Sequence, residues 1–138
     1  MLTKEQHIQY WLTSAREDWD TTHVLLKGKR YAFCLLSMHL VIEKLLKALC
    51  LPDREAGIKE SQDSHTPPFT HDLIKLSEEC ALTLSPDEMD FFTMINSWII
   101  RGRYPDYTSA LHHAATPAYV ESQYLKIQSL KARLEKKI

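Results

Sequence analysis

Two arginines, a tyrosine and an aspartate stand together in Arg101-Gly102-Arg103-Tyr104-Pro105-Asp106, just after a strongly helical segment. A guanidinium is a planar fork of donors that matches a phosphate or a carboxylate, and a neighbouring aromatic face can take a base. An arginine near a helix C-terminus also complements the dipole, but one would suffice and lysine would serve. Pro105 biases Tyr104 towards extended backbone and so fixes the ring relative to the Asp106 carboxylate. The spacing supports a recognition edge of Arg101, Arg103, Tyr104 and Asp106; it supports an Arg–Tyr packing pair equally well.

Two further groups carry ionisable side chains. His39, Glu43 and Lys47 recur at i, i+4 and i+8 and form one polar stripe on an otherwise apolar helix. The stripe reads either as part of a site or as a Glu43–Lys47 pair beside a core histidine. In Thr70-His71-Asp72-Leu73 a helix begins, and capping accounts for Thr70 and for Asp72. It does not account for His71, which could orient a carboxylate or a phosphate or could be structural.

Other chemistries lack their residues. His112 and His113 are adjacent, so on a helix they diverge by about 100° and cannot hold one metal ion together. His7, His23 and His65 show no ligand spacing, and no zinc-protease, P-loop or dinucleotide-binding motif occurs, so no metal and no cofactor is expected. The formal net charge of −1 gives no global basic field, and phosphate binding would have to be local. Cys34, Cys50 and Cys80 are odd in number and form no C-x-x-C pair, so neither a zinc cage nor a disulfide framework is expected, and a reducing cytoplasm is the simplest compartment. The N-terminus has no apolar signal core, and His39, Glu43, Lys44 and Lys47 interrupt the longest apolar run, so a soluble protein without a membrane partner is expected.

The elements that must position these groups are helices. With 138 residues, 44% of them hydrophobic and only three glycines, the chain fits one helix-rich domain over residues 1–138. Thr3 and Gln6 form a capping box, after which Ile8, Trp11, Ala15, Trp19, Thr22 and Leu26 mark an amphipathic helix ending at Gly28. Tyr31 to Leu51 is apolar on nearly every face and predicts the most buried helix, stopped by Pro52. A polar connection follows at about residues 52–69. A third helix starts near Thr70–Asp72, with Leu73, Leu76 and Cys80 inward, and ends around Leu84. Ser85-Pro86-Asp87-Glu88 starts a fourth, with Met89, Phe92, Ile95 and Ile99 inward. Thr116-Pro117 starts the last, with Val120, Tyr124, Ile127, Leu130 and Leu134 inward, and Ser109 to Ala115 stays open as a possible first turn of it. Short connections predict an all-α, up-and-down antiparallel bundle of about five helices. Trp11 and Trp19, two turns apart on the first helix, suit the anchors of a homodimer interface.

Four segments in this order, Ala15-Arg16-Glu17-Asp18-Trp19-Asp20, His39 to Leu49 with its Glu43-Lys44 and Lys47-Ala48, Thr70 to Leu73, and Arg103-Tyr104-Pro105-Asp106, give the chain its likeness to a known family. It resembles the HEPN domain family, in its Arg-Tyr-Pro-Asp subgroup, almost from end to end. The resemblance implies a helical bundle that dimerises and binds nucleotide or RNA. It also implies a genomic partner, a minimal nucleotidyltransferase protein, in a two-component system of toxin–antitoxin type. Some members are metal-independent ribonucleases built on an Arg-x4-6-His pair. In the expected region that spacing is not found, since the first histidine after Arg103 is His112, and Arg16 to His23 lies on the wrong helix.

The expected function is therefore a nucleotide- or partner-binding module using Arg101, Arg103, Tyr104, Asp106, Glu43, Lys47, His71 and Asp72. A ribonuclease toxin and a ligand-free dimeric scaffold are the alternatives.

Overall fold

The computed structural model describes residues 3–50, 70–103 and 105–138, with side chains described outside residues 100–109. Six helices follow in order: α1 (Lys4–Lys27), α2 (Tyr31–Cys50), α3 (Leu73–Glu79), α4 (Pro86–Arg103), α5 (Pro105–Ala114) and α6 (Pro117–Lys137). The all-α bundle expected from the sequence is the observed architecture. The polar connection expected at about 52–69 lies outside the described residues.

α2 packs against all five other helices, which is why its sequence is apolar all round. Cys34, Leu35, Met38, Val41, Ile42 and Leu46 are fully buried along it. α1 runs antiparallel to α2: Thr22 meets Ser37 (Oγ1–Oγ 2.6 Å), Asp18 meets Lys44 (2.6 Å), and Trp11 lies under Lys47, partners moving in opposite directions along the two chains. Thr22 belongs to the inner stripe despite its hydroxyl, which is also bonded to the Asp18 carbonyl at 2.8 Å.

Local signals set most helix ends. The Thr3–Gln6 capping box is present in both directions, and so is the Ser85–Glu88 box that opens α4. Thr116 caps α6 by accepting from the Tyr119 N–H, with Pro117 at the first position. α1 ends on Gly28, and it is Lys29 that takes the left-handed conformation (φ 57°) to turn the chain into α2.

Two expectations are corrected and one left open is decided. α3 ends at Glu79 rather than around Leu84, because Ala81 turns left-handed (φ 56°) and Leu82 N–H bonds back to the Ser77 carbonyl. The segment before Thr116, left open in the sequence, is a separate helix begun by Pro105, so that the described residues form six helices where about five were expected. Met89 is 38% exposed, and the inner stripe of α4 is instead Phe92, Ile95 and Trp98, whose indole N–H donates to the Tyr119 hydroxyl at 3.1 Å.

The cysteines also depart from expectation: Cys50 and Cys80 are joined by a disulfide, their Cα atoms 4.5 Å apart. Packing of α3 on the end of α2 brings the two together across 30 residues, a proximity that spacing along the chain does not reveal. Cys34 is a buried free thiol whose pKa burial raises to about 11, so it is inert at neutral pH.

Candidate functional site

The polar stripe of α2 is not solvated. Glu43 is only 3% exposed, His39 is fully buried and Lys47 nearly so. A carboxylate removed from water must be paired and hydrogen-bonded, and Glu43 is. Its Oε2 accepts from Lys47 Nζ at 3.2 Å, and its Oε1 accepts from His71 Nδ1 at 2.7 Å. Lys47 Nζ in turn lies 5.1 Å from the centre of the Trp11 ring, so the ammonium has a carboxylate on one side and an aromatic face on the other.

His39 ties the same cluster to α3 by another route. Its Nε2–H donates to the backbone carbonyl of His71 at 3.1 Å, which leaves Nδ1 3.8 Å from Glu43 Oε1 and without a hydrogen bond. Burial pushes the His39 pKa down to about 4 against the opposing pull of Glu43, so the ring is neutral at physiological pH. A neutral ring with its proton on Nε2 presents only a lone pair to the carboxylate, which is why the two stand apart.

His71 differs from His39 in exposure: its side chain is 44% accessible. Its Nδ1–H is held by Glu43. The ring lines a surface cavity of about 310 Å³ together with Thr70, Asp72, Asn96 and Ile99. Asp72 is the N-cap of α3, its Oδ1 accepting from the Ile74 N–H at 3.0 Å and from Asn96 Nδ2 at 2.9 Å. Thr70 assists by accepting from the Asp72 N–H at 3.1 Å. The capping explanation of Asp72 thus holds, and its carboxylate also forms part of the cavity wall.

Sequence reasoning missed Asn96. Its Oδ1 accepts from the Leu73 N–H at 2.9 Å while its amide donates to Asp72, so α4 clamps the start of α3 and fixes the loop that carries His71. The signal was present: Asn96 is four residues after Phe92 and three before Ile99, a polar residue on a core-facing stripe.

Of the eight residues expected at the site, Glu43, Lys47, His71 and Asp72 are brought together where α2, α3 and α4 meet. Arg101 and Arg103 fall on the last turn of α4 and Asp106 on the first turn of α5, and their side chains, like all of Tyr104, lie outside the described residues. Arg103 is the last residue of α4 and Pro105 the first of α5, and the extended backbone expected at Tyr104 lies outside the described residues. Trp11 and Trp19, expected as dimer anchors, make contacts within the chain, Trp11 with Lys47 and Trp19 stacked on Tyr124 at 4.8 Å, and both rings are partly buried. Among the described residues no three metal-type ligands lie together, and no helix is long and apolar enough to cross a membrane.

The described residues form an all-α bundle with a charged cluster set into its wall, which reaches a surface cavity through His71. The chain belongs to the HEPN domain family, whose model matches residues 8–136. That membership makes it a nucleotide- or RNA-related helical module. No curated protein and no solved structure gives a match.

Proposed function

We propose that the protein is a nucleotide- or RNA-binding HEPN module, the homodimeric partner of a minimal nucleotidyltransferase in a toxin–antitoxin type system. The observation that carries this reading is the buried Glu43 carboxylate bonded to His71 at 2.7 Å at the mouth of the cavity bounded by Asn96 and Ile99. Two and four residues beyond Ile99 the chain supplies Arg101 and Arg103, the forked donors suited to a phosphate, followed by Tyr104 for a base and Asp106 for a donor group. Glu43 and Lys47 act in this reading by holding His71 in place.

The compartment belongs to the same proposal. In a reducing cytoplasm the Cys50–Cys80 link would be reduced to two thiols.

The test is calorimetric titration of the protein with nucleotides and short single-stranded RNA, beside Arg103→Ala and His71→Ala, together with co-purification of the adjacent gene product. Binding lost in both variants, with their melting curves unchanged, is the expected result. Absence of heat with every ligand, combined with unfolding of Arg103→Ala, would make the cluster a ligand-free scaffold.

One observation favours a second reading, a metal-independent ribonuclease. A carboxylate that orients an imidazole through Nδ1 is the arrangement by which a histidine moves protons, and an arginine can stabilise the charge developing on a phosphodiester. Metal-free cleavage of total RNA or tRNA by wild type, abolished in His71→Ala, would establish it. With no histidine four to six residues after Arg101 or Arg103, we expect little or no cleavage by the isolated protein.

A further inference from the structure

A second cavity, of about 290 Å³, lies at the opposite end of α2. The α1–α2 turn gives it Lys29 and Arg30, the first turn of α2 gives it Tyr31 and Phe33, and the last turn of α5 gives it His112. None of its lining residues is acidic. Lys29 and Arg30 have no carboxylate partner among the described residues, as is true of other cations such as Lys27 and Lys75; what sets them apart is that both line one cavity. In a chain whose formal net charge is −1, two permanent cations left unpaired beside an imidazole form a local concentration of positive potential. Phe33 is 60% exposed beside them, a large ring that the core does not use. The leading amides of α2 face no acidic residue in the first turn, which adds to the potential without being the source of it.

Cations without counter-charges next to an uncovered aromatic ring suit a ligand that is anionic at one end and flat at the other. We propose that this cavity binds the phosphate of a nucleotide, with Arg30 and Lys29 on the phosphate oxygens, His112 closing the far side and the base resting on Phe33. The volume accommodates a phosphate and its sugar, and Phe33, 60% exposed, is among the residues that line it. This site shares only its ligand class with the His71 cavity and uses none of its residues.

The experiment is amide and imidazole NMR on the full chain titrated separately with inorganic phosphate, AMP and a hexaribonucleotide. AMP and the hexanucleotide are expected to shift the Ala32 and Phe33 amides and the His112 ring, with inorganic phosphate at least tenfold weaker. A Lys29→Ser, Arg30→Ser double variant should lose at least tenfold in affinity at these positions, and Phe33→Ala should erase the advantage of AMP over inorganic phosphate. If the hexanucleotide shifts these positions and AMP does not, the phosphate comes from a strand rather than a free nucleotide. Shifts confined to His71 and its neighbours would overturn this proposal and leave the first site standing. Shifts at Ala32, Phe33 and His112 alone would support it and count against the first. No shift here with any of the three probes, or shifts that survive the double variant, would also overturn it.

Discussion

The two ends of the α1–α2 hairpin use similar side chains to different effect. At one end Trp19 stacks on Tyr124 with the Lys131 ammonium 5.5 Å from its ring centre, and His23 Nδ1 shares a 2.8 Å hydrogen bond with the Tyr124 hydroxyl, while the ion pair there, Lys131 with Glu135, stays partly exposed to solvent. At the other end Trp11 faces the Lys47 ammonium, Lys47 faces Glu43, and Glu43 holds His71. The aromatic end gains packing and stacking of the ordinary kind. The ionic end buries a carboxylate and an ammonium, and apolar residues of similar volume in such places often give equal or greater stability. Packing therefore accounts for the first end and not for the second, where the arrangement serves to fix one partly exposed histidine.

The contrast can be broken by substitution. Glu43→Ala should be the most damaging change, about 3–5 kcal/mol, because it leaves Lys47 buried without a counter-charge and releases His71. Urea unfolding measures this, and a loss below about 1 kcal/mol would mean that the cluster is solvated. The Cys50–Cys80 link, spanning 30 residues, should raise the stability of oxidised over reduced protein by about 3–4 kcal/mol, read from denaturant midpoints with and without reductant. Thiol titration of the denatured, oxidised protein should then find Cys34 alone.

The buried imidazole gives a pH dependence with a definite sign. His39 has a folded-state pKa of about 4 against 6.5 in the free side chain, so the unfolded chain takes up a proton first as pH falls. Its contribution is fully present above pH 6.5 and is lost progressively down to about pH 4, roughly 3 kcal/mol in all. His39→Gln should flatten that part of the stability–pH curve, and an unchanged slope would show that His39 is not the group responsible. At the aromatic end Trp19→Ala should cost less, roughly 2 kcal/mol, since the ring is only partly buried, and it should leave ligand binding untouched.

How much of this could be read from the sequence depends on whether the determining interaction is local. Thr3 with Gln6, Ser85 with Glu88, and Thr116 with Pro117 each act within one helical turn, so the starts of α1, α4 and α6 were legible. The His39–Glu43–Lys47 stripe was legible too, because spacings of four residues align on a helix. What it faces was not: the His71 contact to Glu43 spans 28 residues, and the Asn96 clamp on Asp72 spans 24. Cys50 and Cys80 fall in the same class. α5 was missed for a different reason, since Pro105 reads equally as a turn residue and as a helix start, and only the following residues adopting a helix decides between them.

The central claim is that the ionic end exists to position His71 rather than to stabilise the bundle. The direct test is the double variant Glu43→Met, Lys47→Met, which replaces the buried pair by apolar groups of similar size, with unfolding and nucleotide or RNA titration measured on the same preparation. The account predicts a stability within about 1 kcal/mol of wild type, or above it, and a loss of binding comparable to that of His71→Ala. A double variant that binds as wild type does would contradict it.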